Sequence, residues 1–229
     1  IAAIAMAEAF SLTKDSKLRP VVKRVVGFTV RAQNPKTGGW RYRPYEENGY
    51  RDRGDMSVTG WQIMALKSAQ FGGIEVPLES LDMALKYMDS IGGGRRKSIY
   101  GYTSKGNPKP AMVSEGMFCH QLLRQHAIDR RSVSPQDINL RLGESAKYIE
   151  KHLPNPRRLK YNYYYWYYAC LALHQHQGPI WESWNARMRP VFLKAQVNKR
   201  PRQASLHGSW DPIGYQGPAS GRCIVTAMA

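Results

Sequence analysis

Four groups of residues in this chain have types and spacings that could do chemistry. The run Tyr161-Asn162-Tyr163-Tyr164-Tyr165-Trp166-Tyr167-Tyr168 crowds aromatic rings onto one short segment. On a helix, some of those rings would turn toward a common axis, where aromatic faces hold apolar ligands and attract cations. Tyr161, Tyr164, Tyr165 and Tyr168, with Trp61 and Met117 from other apolar stretches, are therefore the candidates for lining a ligand cavity. The competing and favoured reading is that the large rings fill the gap between helix layers. A second group, Arg41, Arg43, Arg51 and Arg53, offers guanidinium forks for a diphosphate or carboxylate. Glu46, Glu47 and Asp52 lie among them, so a self-paired surface loop is at least as good a reading. A third, Cys119-His120 and Cys170 with His174, has the residue types of a nucleophile and its base. Sequence neighbours diverge on a helix, and no carboxylate follows to orient His174, so these thiols read as buried and structural. The fourth, Asp52-Arg53-Gly54-Asp55, holds two carboxylates, with Asp55 placed to cap a following helix. No metal-type spacing occurs, and no cofactor is implied.

These residues sit on a helical framework. Helix-period apolar stretches are expected over 1–10, 18–32, 57–69, 78–91, 113–125, 138–152, 161–174, 179–196 and 223–229, with little strand signal. Gly72-Gly73 and Gly92-Gly93-Gly94 end two of them, and Pro77 and Pro135 open two others. Alternate stretches, beginning with the first, are nearly uncharged and rich in Ala, Met, Trp, Tyr and Cys. Those between carry Lys, Arg, Asp and Glu on one side. Such alternation suits a buried inner row of helices and a half-solvated outer row.

One pattern is spelled twice. It reads Ala32-Gln33, a loop to Gly39-Trp40, then Gly54-Asp55-Met56-Ser57-Val58-Thr59-Gly60. It returns as Ala195-Gln196, a loop to Gly208-Ser209-Trp210-Asp211-Pro212, then Gly221-Arg222-Cys223-Ile224-Val225-Thr226-Ala227. Gln33, Trp40, Gln196 and Trp210 are the expected structural plugs. A unit repeated in this way implies stacked helical hairpins, about four of them at a period of roughly 55 residues.

The plug, the Thr-Gly or Thr-Ala start of each inner helix and the alternating rows resemble the prenyltransferase and squalene-oxidase repeat. This is the repeat of squalene–hopene cyclases, protein prenyltransferase β-subunits and complement-like thioester domains. Trp166-Tyr167-Tyr168-Ala169 and Gly208-Ser209-Trp210-Asp211-Pro212 look like uncharacterised bacterial members. The resemblance spans the chain and implies an all-α fold, an α/α toroid or an arc of one, as a single domain over 1–229. It does not carry the family's chemistry. The carboxylate cluster by which cyclases protonate substrate is Asp-x-Asp-Asp, which Asp52-Arg53-Gly54-Asp55 does not match. The prenyltransferase zinc position Asp-x-Cys falls on Glu115-Gly116-Met117, and the later His position falls near 221–225, where there is Cys223 and no His. A thioether in place of a thiolate removes most of the zinc affinity. The thioester motif Cys-Gly-Glu-Gln is absent.

The 229 residues, 42% of them hydrophobic, can bury a sizeable core. A formal charge of +17 favours acidic partners such as nucleic acid, anionic membrane or diphosphates. The basic clusters lack aromatic interleaving, so nucleic acid is not favoured. No apolar run reaches the roughly 20 residues of a membrane span. Three cysteines without framework spacing fit a reducing compartment. The chain opens and closes inside apolar helical stretches, as a piece of a longer protein would. The expectation is a non-catalytic repeat domain that binds an apolar ligand or a protein partner. The alternatives are an isoprenoid-processing enzyme and an electrostatic binder of nucleic acid or anionic membrane.

Overall fold

The computed structural model describes residues 1–48, 53–154, 161–198 and 201–229. Their elements are almost all helical: α1 (Ala2–Thr13), α2 (Leu18–Arg31), α3 (Tyr45–Asn48), α4 (Met56–Phe71), α5 (Leu78–Ile91), α6 (Pro110–Leu122), α7 (Arg124–Asp129), α8 (Pro135–Glu150), α9 (Tyr163–His176), α10 (Pro179–Ala195) and α11 (Gly217–Met228). A two-stranded hairpin, β1 (Gly92–Gly93) and β2 (Ile99–Tyr100), pairs Gly92 with Tyr100 between α5 and α6.

Residue chemistry explains the boundaries. The Asp55 carboxylate accepts from Val58 N and caps α4. The Ser134 hydroxyl does the same for α8 through Asp137 N, and the Asn162 amide for α9 through Tyr165 N. The stretch expected as one helix over 113–125 begins earlier, at Pro110, and is broken at Leu123 (φ −90, ψ 0), so that α7 follows as a short separate helix. Gly221, at φ 75 and ψ 170, kinks α11, so regular helix resumes close to the expected start at Cys223.

The helices pack in two rows. α1 packs on α4, α4 on α6, α6 on α9 and α9 on α11. Outside them, α2 rests on α1 and α4, α5 on α4, α8 on α6 and α9, and α10 on α8 and α9. Burial follows the charge alternation for α4, α6 and α9 but not for the uncharged helices at the two ends, since α1 buries only Ile4, Ala7 and Phe10, and α11 only Gly217 and Val225. α4 buries residues on nearly every side, from Met56 through Ile63 and Met64 to Ala69. α2 buries one stripe, Val22, Val26 and Thr29, at helical spacing. Each fully buried Val or Leu contributes about 1.5–3 kcal/mol, so the outer helices are held chiefly by such stripes. Two large cores result, one around α4 and α5 (Trp40, Ile63, Leu81, Tyr87) and one around α8, α9 and α10 (Met117, Ala146, Trp166, Trp184). No helix among the described residues is long and apolar enough to cross a membrane.

Candidate functional site

The inner helices α4, α6 and α9 meet at one buried carboxyl. Glu115, on α6, has no exposed surface. Space for it comes from Gly60 on α4: a Cβ there would lie 2.3 Å from Glu115 Oε1. The Tyr164 hydroxyl, from α9, stands 3.1 Å from each carboxyl oxygen, and 2.5 Å on its other side from the Ser57 hydroxyl of α4. Burial drives the Glu115 pKa well above the usual carboxylate range; bonds from Tyr168 and Tyr164 oppose that rise, and the charge of Asp55 adds to it. Burial thus favours the protonated form of Glu115 over the carboxylate.

A third, smaller apolar cluster surrounds this acid. Ile4, Met64, Ala65 and Tyr168 are buried in it, while Trp61, Phe118, Leu122, Tyr164, Tyr167 and Leu171 are half-buried. Trp61 stacks on Tyr167 (6.2 Å between ring centroids, 11° between planes) and meets Tyr168 edge-on at 5.8 Å. The Tyr168 hydroxyl also reaches Met64 Sδ at 3.6 Å. Rings from α4 and α9 therefore close over α6, with Ser57 and Tyr164 leading from the half-exposed face to the acid. Neither a protein-family model, nor a curated protein, nor a solved structure matches the chain.

Of the expected cavity residues, Trp61, Tyr164 and Tyr168 come together on this face. The other three do not. Met117 lies two residues from Glu115, on the opposite side of α6, and packs in the core of α8 and α9. Tyr165 donates to the His152 carbonyl (3.1 Å) and meets Trp184 edge-on, toward α10. Tyr161 precedes α9 and packs on Tyr163 and Trp166. The aromatic run thus divides between the interlayer filling and the inner face. The cavity beside the face, about 630 Å³, is lined by Phe118, Cys170, Leu171, His174 and Trp181.

The arginine group is also divided. Arg41 Nη1 lies 2.5 Å from Asp55 Oδ2 and 3.0 Å from the Tyr102 hydroxyl, with its guanidinium over the Tyr42 and Tyr102 rings. Asp55 is fully buried, so this arginine locks the start of α4. Arg43 and Arg53 are exposed; Arg51 lies outside the described residues.

The plugs are built alike. Gln33 Nε2 donates to the Gly38 carbonyl (2.8 Å), and Trp40 Nε1 donates to the Thr29 carbonyl (2.7 Å) while Trp40 N donates to Thr59 Oγ1 (3.1 Å). In the second copy Gln196 Nε2 donates to Gly208 (3.0 Å), Trp210 Nε1 to Phe192 (2.9 Å) and Trp210 N to Thr226 Oγ1 (3.1 Å). The ion pair at the helix start recurs with its charges exchanged. Arg41 follows the first tryptophan and pairs with Asp55, four residues before Thr59. Asp211 follows the second and pairs with Arg222, four before Thr226, again at 2.5 Å.

The cysteine and histidine pairs are not joined as nucleophile and base: the contacts of each residue go elsewhere. Burial raises the Cys119 thiol well above its ordinary value. His120, buried beside Arg141, is pushed down to about 3. Cys170 accepts from Trp184 Nε1 at 3.2 Å, while His174 meets Trp181 edge-on. Among the described residues, no three His, Cys, Asp or Glu converge as a metal site would require.

Glu115 is the residue that sequence reasoning passed over, except as an alignment position. The available signal was a lone acid in the middle of an otherwise uncharged inner helix.

Proposed function

We propose that this chain is an arc of an α/α toroid, a repeat domain of the squalene-cyclase and prenyltransferase type. It works without catalysis and takes an apolar ligand or protein partner against its inner face. Support for the architecture comes from the two packed rows and the duplicated plug, together with the resemblance carried by the motifs. One observation supports the binding role above the others: an aromatic face of Trp61, Tyr164, Tyr167 and Phe118, left half-exposed on helices most of whose other residues are buried. Exposed apolar area at a site with a few polar groups behind it is the usual make-up of a ligand surface. The test is titration with a long-chain isoprenoid alcohol, read by tryptophan fluorescence. Saturable binding that Trp61→Ala weakens at least tenfold, and that 0.5 M salt leaves unchanged, is the expected result. Salt-sensitive binding of anionic vesicles or nucleic acid instead would favour the electrostatic reading.

A second reading, an isoprenoid-processing enzyme, draws on Glu115. A buried carboxyl whose protonated form burial favours, wired through Tyr164 to Ser57, has the makings of a proton donor at the edge of an aromatic surface. This second reading requires that Glu115 hold its proton in the folded state. Its folded pKa is raised, so above the ordinary carboxylate pKa the native state carries one proton more than the unfolded chain. Stability then falls as pH rises from about 4.5 toward the folded value, by up to about 1.4 kcal/mol per pH unit. Urea unfolding at pH 5, 6 and 7 should show that decline, and Glu115→Gln should flatten it. An unchanged slope in the variant would mean that Glu115 is not the group. If turnover of an isoprenoid is found, Glu115→Gln should abolish it while leaving binding intact.

A further inference from the structure

The two plugs share their backbone as well as their side chains. Gly38 N donates to Asn34 O (2.8 Å), as Gly208 N does to Val197 O (2.9 Å). Asn34 N donates to Gly39 O (3.0 Å), as Val197 N does to Ser209 O (2.8 Å). Gly38 and Gly208 both have φ 82. Since the two sites are built alike, what covers one indicates what the other is shaped to accept.

The first plug is covered by α5. Ser80 Oγ donates to Gln33 Oε1 at 2.6 Å, and the Ser80 carbonyl accepts from Gln33 Nε2 at 3.0 Å. The backbone of Met83 presses on Gly38 so closely that a Cβ there would lie 2.0 Å from the Met83 carbonyl oxygen. The Tyr87 ring covers Gly39, 2.8 Å from where its Cβ would be.

At the second plug none of the described residues fills the corresponding space. A Cβ on Gly208 would meet nothing within 4 Å. Among the described residues, Gln196 Oε1 meets no donor. A cavity of about 340 Å³ adjoins Gln196, lined also by Tyr161, Lys194, Val197, Asp211 and Ile213. Leu193, three residues before Gln196, is 57% exposed, whereas Val30, at the matching position of the first plug, packs into the core.

We infer that the second plug is a docking site for one amphipathic helix carried outside residues 1–229, seated as α5 is seated on the first. The first plug states its chemistry. The helix needs a hydroxyl residue to reach the Gln196 amide and a backbone that can lie on Gly208 three residues later. It needs a small residue seven positions after the hydroxyl, because Ser209 stands where Gly39 admits Tyr87. A second copy of this chain does not meet the need, because its own α5 is occupied by its own first plug. The inference is independent of what the inner face binds.

The test uses the whole chain and a fluorescein-labelled peptide of residues 77–91 carrying Tyr87→Ala, read by anisotropy. Saturable one-to-one binding is expected, weakened at least fivefold by Gln196→Ala and by Leu193→Asp in the protein. Ser80→Ala in the peptide should weaken it similarly, and restoring Tyr87 should abolish it. Both protein substitutions are at incompletely buried positions, and far-UV circular dichroism confirms that the fold is kept. Absence of saturable binding, or binding indifferent to Gln196→Ala and Leu193→Asp, overturns the inference. So does sedimentation showing a dimer that Leu193→Asp dissociates, since a second copy would then cover the face.

Discussion

The first plug and the second use the same bonds but do not share the same surroundings. Trp40 is 2% exposed and Asp55 fully buried, whereas Trp210 is half-buried and Asp211 and Arg222 are partly open to solvent. The difference lies in cover: α5 lies over Gln33 and Gly38, and no described helix lies over Gln196 and Gly208. A local hydrogen-bonded device can therefore form from its own sequence, while its contribution to stability depends on the layer that keeps water away. The exchanged ion pair makes the same point. The pair tolerates either polarity where its task is to join loop to helix, but only Asp55 also accepts from Val58 N at 2.7 Å.

The most damaging way to probe this contrast is to remove each tryptophan. Trp40→Ala empties a sealed core position and should cost about 3–5 kcal/mol in urea unfolding. Trp210→Ala, at a half-open site, should cost roughly 1–2 kcal/mol. Equal costs would break the comparison. Exchanging charges is a finer probe. Reversing the second pair, Asp211→Arg with Arg222→Asp, should leave stability within about 0.5 kcal/mol, as for pairs near the surface. Reversing the first, Arg41→Asp with Asp55→Arg, removes the helix cap as well and should cost at least about 1–2 kcal/mol. If both reversals were silent, the capping role of Asp55 would be refuted.

Much of this was legible in the sequence. The Gln, Trp and Thr positions of both plugs can be read from spacing alone, because each makes a bond within its own hairpin, to which Gln33 adds its bonds with Ser80. Asp55 could be read as a cap for the same reason. Arg41 was less legible. Its spacing left an anion site and a self-paired loop both open, and the partner that neutralises it, Asp55, is 14 residues away across a loop. That pairing was encoded in the repeat, where opposite charges exchange places at matching positions. Glu115 was hidden because its environment is assembled from Gly60 and Tyr164, 55 and 49 positions distant, which no local pattern connects. The division of the aromatic run between two faces was hidden too, since rings on every side of a helix leave no periodic signal. The hairpin at Gly92 and Tyr100 is too short to produce an alternating pattern.

Hydrogen exchange at the amides of Gly38 and Gly208 tests the central claim most directly, because both donate to the same acceptor position from the same φ. If the plugs are one device differing in cover, both amides exchange more slowly than an open loop, and Gly38 is protected roughly tenfold or more beyond Gly208. Equal protection at the two glycines, or a Gly208 amide exchanging as freely as an unbonded one, would contradict the account.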